Sequence, residues 1–469
     1  MSPIKFGTDG WRGVIADAFT FDNLRIVSQA TADYVMKAGG PGQTVTVGYD
    51  RRFMSEDFAL VVARQMAHNG FNVLLSEAAC PSPATSFMTF QQKAGIGVMI
   101  TASHNPPRYN GFKLKTVHGG STTPEITDPI ESAAQQMASA PVPDPDNLKG
   151  KITVVDFKKP YMDDIVSKVD VDLIRKVQGT VLVDVMHGSG AGYLTPLLQE
   201  WGLDAREVRG ERNTWFGGVN PEPVPQNLIP AQYAVKSTGA KAVIISDGDA
   251  DRIAAMDEDG RFVNPHEVFA LMLMHLVESK GLRGPVAQTV SSTRMVTALA
   301  NKYGLPVTRT PVGFKWVADL FMSDPNMLIG GEESGGIGVR GHIPERDSQL
   351  NGLILLEMIG ERGKSLKRLV EEDLWGTVGF HCYDRRDLHL TEDVIGEVRA
   401  RVKAVEPTSL AGIPVAEIDR MDGTRFNFED GSWLLVRPSG TEPVVRVYSE
   451  STSCDKVQAL LDEGVAMCR

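Results

Sequence analysis

The chain has 469 residues, with 48 Lys+Arg against 59 Asp+Glu, a formal net charge of −11, and 42% hydrophobic and 23% charged residues. These ordinary proportions exclude a mainly disordered or fibrous chain, and the acidic balance excludes a protein that binds nucleic acid over a broad basic surface. An anionic ligand would therefore be held locally, by arginine, lysine, backbone N–H groups or a metal ion. The length predicts about three or four domains.

Strand-like and helix-like segments alternate along the first three quarters of the chain. Runs rich in β-branched residues occur at 44–49, 72–75, 181–185, 242–245 and 284–290, and apolar residues recur at helical spacing over 58–68, 194–201, 295–303 and 350–361. This alternation predicts α/β layers with mostly parallel or mixed sheets.

The last part of the chain has a different pattern. The runs 426–428 and 433–436 flank Glu429-Asp430-Gly431-Ser432, which is typical of an antiparallel hairpin. A strand-like run at 444–449 and a helix-like stretch at 456–467 follow. We therefore expect a smaller α+β domain at this end.

Composition also indicates domain boundaries. The Pro/Asp-rich stretch 140–146 reads as a linker, Asp257-Glu258-Asp259-Gly260 reads as a hairpin turn, and the helix-like stretch 350–361 precedes the third change in pattern. The predicted domains are 1–150, 151–256, 257–372 and 373–469. The first three are candidates for structural relatives, although no short-period repeat is visible.

The cysteines Cys80, Cys382, Cys454 and Cys468 are scattered and form no C-x-x-C motif. Their spacing predicts neither a disulfide framework nor a zinc site, and a reduced cytoplasmic setting is the simplest interpretation. The first residues lack the apolar core of a signal peptide, and the richest apolar stretch, 268–277, is too short for a membrane helix. We expect a soluble, cytoplasmic protein without a membrane partner.

A candidate nucleophile lies in Thr101-Ala102-Ser103-His104-Asn105-Pro106-Pro107, which follows the apolar run 97–100. Ser103 is thus just past a strand end, where ligands collect in α/β folds. A serine hydroxyl needs activation by a base or a metal ion, and His104 and Lys113 are the nearest candidates for the base. The alternative interpretation is a polar turn whose serine caps a helix.

A candidate metal loop, Ser246-Asp247-Gly248-Asp249-Ala250-Asp251-Arg252, follows the run 242–245. Its three aspartates converge only if the loop curls, and we expect Gly248 to allow the curl. Close carboxylates repel one another unless a hard divalent cation joins them. The preceding strand and the missing twelfth-position glutamate argue against an EF-hand, so Mg²⁺ in phosphoryl transfer is favoured. A solvated acidic turn is the alternative.

A candidate sugar-binding loop, Gly330-Gly331-Glu332-Glu333-Ser334-Gly335-Gly336, places two acids and a hydroxyl among glycines. This composition suits hydrogen bonding to sugar hydroxyls, or alternatively a flexible acidic loop. Upstream, Gly313-Phe314-Lys315-Trp316 supplies a cation and an aromatic surface.

A candidate phosphate loop, Arg437-Pro438-Ser439-Gly440-Thr441-Glu442-Pro443, lies between two strand-like runs. Its arginine, hydroxyls and exposed N–H groups around a glycine favour an anion-binding nest, and phosphate is the ligand expected there. The alternative is a turn whose polar side chains bind no ligand.

The four loops together indicate phosphoryl transfer on a phosphosugar. Two other functions stay open: a phosphatase in which water accepts the phosphoryl group, and a non-catalytic protein that binds phosphosugar as a regulator or scaffold. Hexose 1,6-bisphosphate separates the two enzymes, because it primes a mutase and is consumed by a phosphatase.

In the order and spacing of these motifs, the chain resembles the α-D-phosphohexomutase family over essentially its whole length. The resemblance begins with Gly7-Thr8-Asp9-Gly10-Trp11-Arg12-Gly13. It implies four domains around a central cleft, of which three have an α/β/α core with mixed sheets. The fourth, C-terminal domain would be α+β and TATA-binding-protein-like.

The resemblance also implies roles for individual residues. Ser103 would be carried as phosphoserine and would bind Mg²⁺ together with Asp247, Asp249 and Asp251. Arg12 and His104 would support the phosphoryl group, and Lys113 would be an acid/base candidate. The substrate would be bound by Arg252, Lys315, Glu332, Ser334, Arg437, Ser439, Gly440 and Thr441.

The activity implied by the resemblance is an intramolecular phosphotransfer between hexose 1-phosphate and hexose 6-phosphate. Hexose 1,6-bisphosphate would be both intermediate and activator, a hinge at the fourth domain would help close the cleft, and no nucleic acid is involved. Gly336 stands where members with mannose activity often have histidine, and Ser348 where many relatives have glycine. The segment 313–316 is more similar to glucose-type than to glucosamine-type members. We favour glucose phosphate, with mannose phosphate as the rival and glucosamine phosphate as a further alternative.

Overall fold

The computed structural model describes residues 4–39, 43–439 and 443–469. Gly440 and Thr441 of the predicted phosphate loop therefore lie outside the described residues. The predicted fold class is confirmed: three α/β domains with mixed sheets precede an antiparallel α+β domain.

The first domain has its sheet in the order β1-β5-β4-β2-β3-β6, antiparallel only where β5 pairs with β1 and β4 among the described strands. The strand β4 is buried throughout because helices cover both faces of the sheet. The elements are β1 (Trp11–Val14), α1 (Phe21–Gly39), β2 (Thr44–Tyr49), α2 (Ser55–His68), β3 (Asn72–Ser76), α3 (Ser82–Gln91), β4 (Ile96–Ile100), β5 (Tyr109–Lys115), α4 (Pro124–Gln136) and β6 (Ile152–Val155).

The second domain continues the alternation. Its elements are α5 (Lys158–Val166), α6 (Val171–Ile174), β7 (Val181–Asp184), α7 (Leu194–Glu200), β8 (Ala205–Val208), α8 (Ile229–Thr238), β9 (Ala242–Ser246), β10 (Ile253–Asp257) and β11 (Phe262–Val263). The sheet order is β11-β10-β9-β7-β8, with β9, β7 and β8 parallel and β10 antiparallel to β9.

The third domain begins at a helix with a capping box, in which Asn264 and Glu267 satisfy each other's backbone N–H groups. Its sheet order is β13-β12-β14-β15, antiparallel only at β14–β15 in the described chain. The elements are α9 (Pro265–Met274), β12 (Val286–Thr289), α10 (Arg294–Lys302), β13 (Val307–Thr310), α11 (Phe314–Ser323), β14 (Ile329–Gly331), β15 (Ile337–Val339), α12 (Ser348–Arg362), α13 (Leu366–Arg368) and α14 (Trp375–Val378), with π-helical segments at His275–Ser279 and Leu369–Leu374.

The fourth domain is an antiparallel sheet in the order β16-β21-β20-β19-β18-β17, packed against two helices. Its elements are β16 (Cys382–His389), α15 (Glu392–Ala404), β17 (Ser409–Leu410), β18 (Ile413–Asp419), β19 (Thr424–Phe428), β20 (Trp433–Pro438), β21 (Val444–Ser451) and α16 (Cys454–Ala466). The predicted hairpin around 429–432 joins β19 to β20.

The three α/β domains share one arrangement of strands. The orders β5-β4-β2-β3, β10-β9-β7-β8 and β15-β14-β12-β13 correspond strand by strand, with one antiparallel strand beside three parallel ones. The serine, metal and sugar loops each connect the antiparallel strand to the parallel strand beside it, as β4–β5, β9–β10 and β14–β15. A common topology thus presents the three loops in equivalent positions.

The expected boundaries at 150 and 256 do not coincide with the ends of the sheets. Strand β6 lies beyond residue 150 but pairs with β3, and β11 lies beyond residue 256 but pairs with β10. The sheets therefore end a few residues later than expected, and the four domain limits as such stay predictions.

The second and third domains share one continuous hydrophobic core, to which α9 and α12 contribute and which α3 of the first domain also joins. The fourth domain has a core of its own and meets the third through a small cluster around Trp433. In the described part of the chain, every helix is too short or too polar to cross a bilayer.

The expectation of no disulfide is wrong. Cys382, the first residue of β16, is bonded to Cys454, the first residue of α16, whereas Cys80 and Cys468 are free and buried. The pairing of β16 with β21 brings the two cysteines together, because Cys382 lies opposite Ser451, and Ser451 is three residues before Cys454. The two cysteines are 72 residues apart, so no local motif signals this contact.

Candidate active site

The four predicted loops meet at one central cavity of about 730 Å³. Each domain contributes to its wall. The predicted residues that line it are Arg12, His104, Arg252, Lys315, Glu332, Ser334, Arg437 and Ser439.

Ser103 lies where the sequence places it, directly after β4, and it is 1% exposed. Its backbone has a φ of 52°, a left-handed conformation that non-glycine residues rarely adopt outside functional sites. The Ser103 hydroxyl donates to Asp247 Oδ2 at 3.0 Å and lies 3.4 Å from His104 Nδ1. The candidate nucleophile of the first domain thus faces the metal loop of the second.

A buried arginine that sequence reasoning missed holds the serine loop. Arg52 is fully buried and donates to the carbonyl oxygens of Ser103, Asn105, Pro106 and Tyr109 at 2.6, 2.6, 2.9 and 3.0 Å. It also pairs with Asp50 at 3.2 Å. The available signal was an Asp-x-Arg sequence directly after β2, whose carboxyl end lies beside that of β4.

The three aspartates converge as predicted. Asp247, Asp249 and Asp251 are buried, and one oxygen of each lies within 4.8 Å of the others. Within the described residues, Asp249 Oδ1 and Asp251 Oδ1 have no hydrogen-bond partner. Burial, together with the other two carboxylates, raises the pKa of Asp247 well above its usual value. Buried oxygen ligands that lack partners fit a hard divalent cation.

The curl of this loop arises differently from the expectation. Ala250, and not Gly248, adopts the left-handed conformation, with a φ of 57°. Gly248 is needed for close packing instead, because a Cβ there would lie 2.5 Å from the Ser103 carbonyl oxygen. The glycine lets the serine and metal loops approach each other.

Lys113 bridges three carboxylates. Its Nζ lies 2.8 Å from Asp9, 2.9 Å from Asp249 and 3.2 Å from Asp251. Burial would lower the pKa of Lys113, but the carboxylates outweigh burial and raise it. Lys113 is therefore a charge partner of these acids in the structure, and its acid/base role stays an expectation.

His104 and Arg12 lie beside the nucleophile. Burial and neighbouring cations hold the pKa of His104 well below its usual value, so its imidazole is neutral and has a nitrogen able to accept a proton. Arg12 Nη1 donates to Asn105 Oδ1 at 2.5 Å, next to the serine loop.

Glu332 is the buried acid of the sugar loop. Its Oε1 accepts a hydrogen bond from the Gly313 N–H at 3.1 Å, which ties the sugar loop to the Lys315 segment. Burial raises the pKa of Glu332 to about 7, although Arg346 opposes the change. Lys315 Nζ lies 5.2 Å from the Trp316 ring centroid, a cation–π distance.

Arg346, to which the sequence motifs assigned no role, connects three domains. Its Nη2 lies 2.6 Å from Asp9 and 2.8 Å from Asp251, and its Nη1 lies 3.6 Å from Glu332. A Cβ at Gly336 would clash with Arg346 Cδ. The absence of a side chain at position 336 therefore leaves room for this arginine.

Ser348 has a role in the metal loop. Its hydroxyl donates to the Ala250 carbonyl oxygen at 2.7 Å, so the first residue of α12 supports the strained residue of the loop. Gly336 and Ser348 are the two positions that depart from the family pattern. The position of Arg346 beside Gly336 and the Ser348–Ala250 hydrogen bond give a physical reason for each.

The wall formed by the fourth domain is more basic than predicted. Arg437 Nε pairs with Asp422 at 2.9 Å, and Ser439 is buried. In the sheet register, Arg446 lies opposite both Arg437 and Asp387. The missed cavity residues are Arg385, Asp387, Arg446 and Tyr448. Charged or polar residues at alternate positions of β16 and β21 were the available signal.

Comparison with known families gives the same assignment over the whole chain. The family models described as phosphoglucomutase/phosphomannomutase, alpha/beta/alpha domains I, II and III, match residues 3–140, 159–260 and 264–375. The model of the C-terminal domain of the same family matches residues 397–466.

Individual relatives carry different substrate names. A phosphoglucomutase/phosphomannomutase of Thermococcus kodakarensis is 32% identical over 98% of both chains. A phosphoglucosamine mutase of Thermobifida fusca is 31% identical over 97% of this chain and 96% of its own. A crystal structure of a phosphomannomutase-type protein from Thermus thermophilus is 34% identical, covers 99% of both chains and has a TM-score of 0.87.

Proposed function

The chain belongs to the phosphoglucomutase/phosphomannomutase family of phosphohexomutases, and from this premise we propose that it interconverts glucose 1-phosphate and glucose 6-phosphate through a phosphoserine at Ser103. The observation that carries the proposal is the Ser103 hydroxyl, which is buried 3.0 Å from the Asp247 carboxylate and next to His104, a residue that lines the cavity bounded by the basic wall of the fourth domain. The proposal includes hexose 1,6-bisphosphate as activator and a cytoplasmic location, although the Cys382–Cys454 disulfide removes the cysteine argument for that location.

The reaction would proceed as two phosphoryl transfers. In the first, the bond between phosphorus and Ser103 Oγ breaks as a bond forms to the free hydroxyl oxygen of the hexose phosphate. The hydroxyl gives its proton to neutral His104, the acceptor we favour, and Ser103 Oγ takes up a proton in turn from His104, whose Nδ1 lies 3.4 Å away. The bisphosphate then turns over, and its other phosphoryl group returns to Ser103 Oγ by the reverse steps.

Positive charge from the chain itself would stabilise the transferring group. Arg12 and Arg252 line the cavity beside the serine and metal loops, where cations oppose the charge of the transferring oxygens. Asp247, Asp249 and Asp251 would hold Mg²⁺ together with Ser103. The ion, when bound, neutralises charge that develops on the phosphoryl oxygens.

The phosphate that does not react would be held by the fourth domain. Arg437 offers a planar fork of donors, and Ser439 lies next to it in the same cavity wall. Since this group is far from Ser103 in the chain and lies in another domain, we assign it to anchoring whichever phosphate is distal.

The choice of glucose is supported by the sugar side of the cavity. The segment 313–316, which is more similar to glucose-type than to glucosamine-type members, lies in the same wall as Glu332. Arg346 occupies the space beside Gly336 where a histidine side chain would have to lie. The first feature argues against glucosamine phosphate and the second against mannose phosphate, which remains the second candidate.

A coupled assay with glucose, mannose and glucosamine 1-phosphates tests the function. With Mg²⁺ and a trace of hexose 1,6-bisphosphate, we expect the highest kcat/KM for glucose 1-phosphate. A higher value for mannose or glucosamine phosphate would overturn the substrate choice. Release of inorganic phosphate in place of the isomer would show that the protein is a phosphatase.

Substrate binding should depend on the ionisation of Glu332. With a pKa of about 7, this carboxyl takes up a proton as the pH falls through neutrality and loses its capacity as an anionic acceptor for sugar hydroxyls. We expect KM to rise about tenfold between pH 8 and pH 6 from this group alone, because at pH 6 only about a tenth of it is ionised.

The Glu332→Gln variant should have a higher KM at pH 8, and its KM should not rise tenfold between pH 8 and pH 6. Only the pH dependence of KM that comes from ionisation of the substrate phosphate should remain. The matched control is Glu333→Gln, which removes the adjacent acid. This variant should keep the rise of KM as the pH falls from 8 to 6. An inflection that persists in Glu332→Gln would assign the titration to another group.

A further inference from the structure

An ion pair spans the cavity between the second and fourth domains. Arg385 Nη2, on β16, lies 3.7 Å from Glu222 Oε1, in the loop that precedes α8. The side chains are 30% and 19% exposed, and both line the central cavity. The two charges therefore connect opposite walls directly, without a ligand between them.

Glu222 is fixed relative to the metal loop. The Asn227 side chain donates to the carbonyl oxygens of Asn220 and Glu222, both at 3.1 Å. The Gly248 N–H donates to the Pro221 carbonyl oxygen at 3.1 Å, so the metal loop and the residue before Glu222 are hydrogen-bonded. The position of Glu222 thus follows that of the reacting groups.

Arg385 is fixed relative to the phosphate-binding wall. Its Nε lies 3.0 Å from Asp387 Oδ1 on the same strand, and Asp387 lies opposite Arg446 in the sheet. Arg446 in turn lies opposite Arg437. Movement of the fourth domain therefore carries Arg385 and the phosphate anchor together.

The fourth domain is attached in a way that permits such movement. Its core is separate from the shared core of the second and third domains. Gly379, in the connection to β16, has a φ of 84°. Contacts with the third domain include Arg294 Nη1 to the Gly431 carbonyl oxygen at 2.8 Å and the Val312 N–H to Asp422 Oδ2 at 2.9 Å. These contacts join the fourth domain to the third, whereas the Arg385–Glu222 pair joins it to the second.

The proposed reaction requires a contact of this kind. While the bisphosphate turns over, neither of its phosphates can connect the fourth domain to the serine loop. A contact between protein groups must then keep the cavity closed, or the intermediate escapes. The contact must also be weak, because the cavity opens to admit substrate and release product.

We propose that Arg385 and Glu222 form a latch that holds the fourth domain against the second while the bisphosphate intermediate turns over. This inference rests on the proposed mutase function. A partly exposed ion pair suits this role, because such pairs contribute little free energy to stability and break readily.

A single-turnover experiment with the phosphorylated enzyme tests the latch. Labelled glucose 1-phosphate is added, and the label released as free hexose bisphosphate is compared with the label found in glucose 6-phosphate. Arg385→Gln and Glu222→Gln should each raise the released fraction about two- to fivefold, the range expected for an exposed pair. The double variant should match the single ones, because all three break the same contact.

Arg386→Gln is the matched control. Arg386 is the next residue of β16, but it pairs with Asp462 inside the fourth domain. Its release fraction should equal that of the wild type. A wild-type fraction in Arg385→Gln, a raised fraction in Arg386→Gln, or effects that multiply in the double variant would overturn the latch.

A second readout separates failure of the latch from failure of the proposed function. If the wild-type chain forms no hexose 6-phosphate, the mutase proposal fails whatever the variants do. Small-angle X-ray scattering of the ligand-free chains still tests the latch, since Arg385→Gln and Glu222→Gln should increase the radius of gyration and Arg386→Gln should not. Unchanged scattering in both latch variants would contradict it.

Discussion

Replacing Ser103 with alanine is expected to lower mutase turnover by about a thousandfold or more, while the chain keeps its fold. The hydroxyl that accepts and donates the phosphoryl group is lost, and a loss of about 4 kcal/mol in barrier reduction corresponds to roughly three decades in rate. The left-handed backbone at this position is already adopted by a residue with a Cβ, so alanine adds no new strain. Coupled turnover and circular dichroism of the purified variant measure the two outcomes.

Ser82→Ala is the matched control for this variant. The Ser82 hydroxyl donates to Asp249 Oδ2 at 2.6 Å, so it touches the same acidic cluster from the same domain. Intact mass spectrometry after incubation with hexose 1,6-bisphosphate should find the phosphorylated chain in the wild type and in Ser82→Ala, but not in Ser103→Ala. Turnover near the wild-type rate in Ser103→Ala would exclude Ser103 as the nucleophile.

Replacing Asp247 with asparagine is expected to weaken Mg²⁺ binding at least a hundredfold and to abolish most activity at ordinary Mg²⁺ concentrations. Changes to groups that only orient metal ligands already cost about 10–100-fold in affinity, and Asp247 is a candidate ligand itself that also accepts the Ser103 hydroxyl. Calorimetric titration with Mg²⁺ and the Mg²⁺ dependence of turnover measure the effect.

The control for the metal prediction is Asp259→Asn. Asp259 lies in the turn after β10 and is paired with Lys367 at 2.6 Å. The Asp259→Asn variant therefore removes a carboxylate from the same domain but not from the metal loop. It should bind Mg²⁺ as the wild type does. Equal Mg²⁺ affinity in Asp247→Asn and the wild type would show that the three aspartates do not form the metal site.

The loops could be predicted from the sequence because the strands before them are continuous apolar runs. Strands β4 and β9 are buried throughout, so the polar loops that contain Ser103 and Asp247 stand out at the ends of buried strands. This is a local signal, which a single sequence contains. The structure brings these two residues into contact as the strand–loop pattern suggests.

The residues that sequence reasoning missed depend on contacts between distant segments. Arg52, Arg346 and Arg385 are ordinary charged residues in their local context, and only the folded chain shows which carbonyl or carboxylate groups surround them. The Cys382–Cys454 disulfide was missed for the same reason. Ala250 adopts the left-handed conformation expected of Gly248, whereas Gly248 is required where two loops pack together.

The shared strand order of the three α/β domains separates the chemistry from the choice of substrate. The serine and metal loops belong to the first two domains, while Glu332 and Lys315 belong to the third. Under the proposed function, a substitution in the β14–β15 connection would change the sugar contacts directly and would reach the metal loop only through Arg346, which lies 2.8 Å from Asp251 and 3.6 Å from Glu332. This division would agree with the observation that relatives of nearly equal identity, such as those of Thermococcus kodakarensis and Thermobifida fusca, carry the names of different sugar phosphates.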